Sequence, residues 1–131
     1  GADLAKALAE ARGATVAAAP VAVTGQSPKD IAAAGGEARY VLDVATTGWG
    51  YIYQSFDWAH YNVIYSAKLR VIDTSSKAVI AEGTCRWKPA KDYKLPTGEE
   101  LLANEAAEVK AQLAQAREAC TAEFKRDVLG L

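Results

Sequence analysis

Residues 61–73 read YNVIYSAKLRVID, and their alternation decides the fold. Tyr61, Val63, Tyr65, Ala67, Leu69 and Val71 fall on one side. Asn62, Ser66, Lys68 and Arg70 fall on the other, together with Ile64 and Ile72. One apolar side at a period of two is the pattern of a half-buried strand in an antiparallel sheet. Thr74-Ser75-Ser76 supplies a short turn, and 77–88 returns as the partner strand. Its inward row reads Val79, Ala81, Gly83, Cys85, Trp87, and its outward row Ile80, Glu82, Thr84, Arg86, Lys88. Two apolar rows joined by a short polar turn predict a long β-hairpin.

Toward the C-terminus, 89–96 reads as a loop, and Thr97-Gly98-Glu99-Glu100 as a capping box with Thr97 at the N-cap. The helix that follows runs toward Leu129, with Gly130 past its end and room for a kink near Asn104. Leu102, Ala106, Val109, Leu113, Ala116, Cys120 and Phe124 recur at three- and four-residue steps and form one stripe. Such a stripe suits packing on the sheet better than a coiled-coil seam, because it is rich in small alanines. The helix would be about 48 Å long and strand 61–73 about 43 Å, so one can cover the other.

Cys85 and Cys120 lie on the two faces that should meet. They are not a CxxC pair and have no histidine at zinc spacing, so a structural metal is not expected. They are either two buried free thiols or, as their placement favours, a disulfide. The connection must absorb a gap of about 23 Å with a reach of at most about 30 Å. A disulfide would place the chain in an oxidising compartment.

Toward the N-terminus, Tyr40, Leu42 and Val44 alternate with Arg39, Val41 and Asp43, so 38–46 is a strand. Thr47-Gly48 is expected to give a bend or bulge. Trp49, Tyr51 and Tyr53 then share one side of a further extended segment, ending near Ser55, with 56–59 turning the chain. Ala2 to Arg12 reads as a helix with Leu4, Leu8 and Ala11 on one face and Gly13 as its stop. A short strand is expected near 14–18, ahead of Pro20. Ser27-Pro28-Lys29-Asp30 starts a second short helix that Gly35-Gly36 ends. The fold class is therefore α+β. We expect a two-layer sandwich in which a mostly antiparallel sheet with a long β-hairpin packs against a long C-terminal helix, with two shorter helices, all in one domain spanning 1–131.

Composition narrows the function. The 131 residues carry 15 basic and 16 acidic side chains, a balance that gives no broad field for nucleic acid. Lys68, Arg70, Arg86 and Lys88 share the outer face of the hairpin, but Tyr61 and Tyr65 point the other way, so a nucleic-acid surface is not expected. No stretch is long and apolar enough to span a membrane. Half of the residues are apolar, yet 28 are alanine, so strong core formers are fewer than the percentage suggests. Gly48-Trp49-Gly50 is no dinucleotide fingerprint, and Gly35-Gly36 lacks the lysine and hydroxyl of a phosphate loop. No cofactor is expected. There is no methionine, even at position 1, which reads as a processed or excised chain; any leader or anchor cysteine would lie upstream.

The strongest anomaly is aromatic. Seven of the eleven Phe, Trp and Tyr residues lie between Trp49 and Tyr65. They suit either a core layer of the sheet or an exposed platform of flat apolar rings with polar handles. One row facing the helix and a separate exposed set around Trp58 would satisfy both. The only histidine, His60, follows Asp57 by three residues. That pair could tune an imidazole, but no Ser or Cys nucleophile accompanies it, so no catalytic residue is expected. Trp49, Tyr51, Tyr53, Trp58 and His60 are the candidate ligand- or partner-binding residues.

The run Tyr40-Val41-Leu42-Asp43-Val44, strand 61–73 with its Asp73-Thr74-Ser75-Ser76-Lys77 turn, and Ala78-Val79-Ile80-Ala81 together resemble a pattern of bacterial envelope lipoproteins. The late cysteine in the C-terminal helix is similar to that of certain secreted proteins. The resemblance implies a small α/β sandwich of the kind used in secretion and cell-wall accessory proteins, and brings no catalytic residues. The expected function is a non-enzymatic cell-envelope domain, periplasmic or anchored to the outer membrane. It would act through contacts with another envelope protein or with itself. A small-ligand or glycan-binding module using the aromatic cluster is the alternative.

Overall fold

In the computed structural model, residues 1–17 and 21–131 are described. The elements run α1 (Ala2–Arg12), α2 (Pro28–Ala34), β1 (Tyr40–Gln54), β2 (Asp57–Asp73), β3 (Ala78–Trp87) and α3 (Gly98–Asp127). The strands form one antiparallel sheet in the order β1-β2-β3. This is the α+β class expected, with its long hairpin, long C-terminal helix and two shorter helices. Residues 14–17 form no strand, and the rest of the strand expected at 14–18, with Pro20, lies outside the described residues.

Two local expectations are corrected. The bend or bulge at Thr47-Gly48 does not divide the segment in two, and β1 is one strand of 15 residues. Thr47 donates to Ser66 Oγ (2.9 Å) and Ser66 Oγ donates to the Gly48 carbonyl (3.3 Å), so β2 stays tied to β1 through the glycine. The turn expected at 56–59 is only Ser55-Phe56, and β2 begins at Asp57. His60 is therefore a strand residue and not a turn residue.

The chain divides into two compact units, residues 1–45, 68–84 and 123–131, and residues 46–67 and 85–122. In the first, Ser27 caps α2 by accepting from the Asp30 amide (3.1 Å), with Pro28 in the first turn. Ile31 and Ala32 bury against Ile72, with Val41 and Val79 packed around them. Ile72 belongs to the row read as outward, yet it is fully buried because α2 covers that side. Arg70 donates to Asp43 and to the Gln26 carbonyl, so the outer-face basic residues are partly spent. Lys68 likewise pairs with Glu82 at 2.8 Å. Gly83 lets the end of α3 approach, since a Cβ there would meet Val128 Cγ2 at 2.4 Å. In α1, Leu4 and Ala9 are buried while Ala11, placed on the apolar face by the sequence, is exposed.

In the second unit, Val63, Leu101 and Val109 form the core, with Tyr61, Trp87, Ala106 and Leu113 against it. The capping box forms as read: the Glu100 amide donates to Thr97 Oγ1, and the Thr97 amide to Glu100 Oε2 (both 3.2 Å). Cys85 and Cys120 are bridged, with Cα atoms 5.5 Å apart. The reach problem is solved at the helix start. The loop brings Pro96 back to accept from the Tyr61 amide (3.0 Å), and Thr97 bridges His60.

The apolar stripe is corrected at one place. Ala103 leaves the helix and Asn104, Glu105 and Ala106 are left-handed (φ 52 to 59°). The kink shifts the phase, so that Leu101 is buried and Leu102, assigned to the stripe, is 54% exposed. From Val109 onward the stripe holds, and Gln112 joins it as a buried polar residue that donates to Glu108 (2.9 Å).

Candidate functional site

The β1–β2 hairpin carries the exposed aromatics. Period-two spacing sets Trp49, Tyr51 and Tyr53 on one side of β1, and all three are about half exposed. They do not form the helix-facing core row that the sequence allowed. Ile52, out of phase with them, is 52% exposed, and Trp58 is 79% exposed. Both sides of β1 are therefore open along this stretch. Phe56 stands wholly in solvent at the turn, with φ of 65°. A bulky side chain in the left-handed region is unusual, since glycine or asparagine occupies such positions without steric cost.

The rings touch one another, and they meet the core only through Tyr61, which packs against the Val63, Leu101 and Val109 cluster. Tyr53 lies 5.5 Å from Trp58 and 4.6 Å from Tyr61, and Tyr51 lies 5.7 Å from Tyr61. Their planes are inclined at 38° to 70°, so the cluster presents ring edges and faces in several directions, not one flat platform. The proximity of Tyr53 raises the Tyr61 hydroxyl's pKa, first by hydrogen bonding. Asn62 donates to Gln54 (3.1 Å) and ties the strands beside the rings.

His60 and Asp57 are brought together: Nδ1 lies 2.6 Å from Oδ2, with the side chains 39% and 44% exposed. Asp57 also accepts from the Ala59 amide (3.1 Å). That amide, and then His60, hold the Asp57 carboxyl below its ordinary value. Two open hollows lie elsewhere in this unit. One, of about 370 Å³, is lined by Tyr93, Lys94, Leu95, Pro96, Glu100 and Glu108. The other, of about 340 Å³, lies between Thr46 and Tyr65 on the sheet and Lys110 to Arg117 on α3. Neither is lined by Trp49, Tyr51, Tyr53, Trp58 or His60. Among the described residues, no group of three or more His, Cys, Asp or Glu could hold a metal ion. No described helix is long and apolar enough to cross a membrane.

Sequence reading named Trp49, Tyr51, Tyr53, Trp58 and His60 but missed Ile52 and Phe56 as members of the exposed set. Their signal in the sequence is weak: Ile52 sits opposite the aromatic row, and Phe56 falls in the turn.

No protein family and no curated protein matches this chain. Among solved structures, the lipoprotein GNA1162 from Neisseria meningitidis is similar over 69% of this chain, with 21% identity and a TM-score of 0.38. This chain spans 58% of that lipoprotein's length.

Proposed function

We propose that this chain is a non-enzymatic domain of the bacterial cell envelope that docks a partner protein through its β1–β2 hairpin. The observation that carries the reading is the set Trp49, Tyr51, Ile52, Tyr53, Phe56 and Trp58, large and exposed on one hairpin. Large apolar groups left exposed together on one element mark contact surfaces, and Trp and Tyr are enriched in their energetic centres. The Cys85–Cys120 bridge supports an oxidising compartment, hence the periplasmic side of an envelope. Ring stacking on a glycan is the alternative, but it gains most from rings sharing a plane, which these do not.

A photo-crosslinking amino acid at position 56 in the exported protein tests this. Discrete adducts should form there, should be lost with Trp58→Ser, and should be absent with the crosslinker at the exposed Ser75. Equal labelling at 56 and 75 would reject the docking role. Quenching of tryptophan fluorescence by cell-wall saccharides, without any adduct, would select the glycan reading instead.

A further inference from the structure

The second hollow is built unlike the aromatic hairpin. Thr46 Oγ1 and Tyr65 OH lie 3.0 Å apart on its sheet side. Lys110, Leu113, Ala114 and Arg117 line its helix side. Steps of four and three residues put Lys110, Ala114 and Arg117 on one face of α3. Ala114 contributes only a methyl between the two longer cations, which keeps the hollow open. Leu113 is anchored in the Val63, Leu101, Val109 core, so the floor does not move freely.

The charges here are unspent. Positions three and four residues from Lys110 and from Arg117 hold no Asp or Glu, so neither cation has a helical ion-pair partner. Among the described residues, the salt bridges involve neither of them. Glu118 follows Arg117 directly, and adjacent residues on a helix do not face each other. Glu108 is taken by Tyr93 and Gln112. This contrasts with the hairpin cations Lys68 and Arg70, each of which meets a carboxylate. The hydroxyl pair adds a donor: two O–H groups share one mutual bond, so the second proton is free to be given to an acceptor in the hollow.

We propose that this hollow binds a phosphate group, held by Lys110 and Arg117 and oriented by the Thr46–Tyr65 hydroxyl pair. Two cations on one side and an O–H donor on the other match a tetrahedral oxyanion with several acceptor oxygens. A volume of about 340 Å³ admits a phosphate with some of the group that bears it. The same chemistry is offered by a small soluble phosphate and by the phosphodiester of a lipid headgroup.

The test is titration of the isotope-labelled full chain with inorganic phosphate, at constant ionic strength against chloride. Saturable shifts are expected at Ala114, Arg117 and Tyr65. Lys110→Gln with Arg117→Gln should weaken binding by at least about tenfold, since charge-assisted bonds are the strong ones. Both sites are exposed, so circular dichroism should be unchanged. Tyr65→Phe should weaken binding several-fold while keeping the ring. Flotation with phosphatidylglycerol vesicles, against phosphatidylcholine, separates the sources. Vesicle binding lost in the double variant assigns a lipid phosphodiester, and phosphate saturation without vesicle binding assigns a soluble ligand. Absence of both, or full affinity in the double variant, overturns the proposal.

Discussion

The two hairpins that share β2 are built on opposite plans. The β2–β3 turn is polar and tied down. Asp73 Oδ1 accepts from the amides of Ser75 (2.8 Å) and Ser76 (3.1 Å), and Thr74 Oγ1 donates to the Ala38 carbonyl at 2.7 Å. Just before it, Ile72 is fully buried. The β1–β2 turn places a fully exposed phenylalanine in left-handed backbone, preceded by an isoleucine that is half exposed. One turn spends its side chains on the fold. The other spends them outward, as the proposed docking role requires.

The largest way to disturb this contrast is to remove the brace of the second unit. Cys85→Ser with Cys120→Ser opens a loop whose ends are 35 positions apart. In the chain-entropy account it should cost roughly 4 kcal/mol, read as a fall in thermal midpoint that reductant reproduces in the native chain. The two isoleucines come next. Ile72→Ala should cost about 3 kcal/mol, within the range for emptying a packed site. Ile52→Ala should stay within about 0.5 kcal/mol, as exposed positions do. Equal costs in denaturant titration would mean that the β1–β2 hairpin is packed like its neighbour and presents nothing. Phe56→Gly should then act in the reverse direction. Relief of the left-handed penalty, roughly 1 kcal/mol, should raise stability in the same denaturant titration.

Much of this contrast was legible in the sequence, and the remainder was hidden for definite reasons. Alternation in 61–73 gave the strand and its inward row, and Val63, Ala67, Leu69 and Val71 are all buried. Ser27 and Thr97 announced their helices because capping is local chemistry. For Trp49, Tyr51 and Tyr53, alternation told which side they share but not whether anything covers that side. Coverage depends on how far β3 and α3 extend, which no window around residue 50 contains. Ile72 shows the converse, an outward position buried because α2 arrives from far along the chain. The kink allowed for near Asn104 is present, but with no glycine or proline there the sequence does not say how it shifts the helical phase. A single helical period drawn across it therefore assigned Leu102 to a face that Leu101 occupies.

The smallest expected effect concerns acid. Asp73 and Asp57 each have a carboxyl held below its ordinary value, Asp73 mainly by the Ser76 amide and Asp57 mainly by the Ala59 amide. A depressed folded-state pKa gives stability that is full above the unfolded value, about 3.9, and is lost as pH falls through the folded one. Both turns should therefore loosen as pH drops below about 4, but they should report differently. Loss at Asp73 should appear in global unfolding, because that turn closes the hairpin over buried Ile72, and Asp73→Asn should flatten the acid side of the stability profile. Loss at Asp57 should appear first in Trp58 fluorescence, with little change in the global midpoint, because its neighbours are already in water. If Asp57→Asn instead flattened the global profile as much as Asp73→Asn, the exposed hairpin would be coupled to the fold, and its surface would not be free to serve a partner.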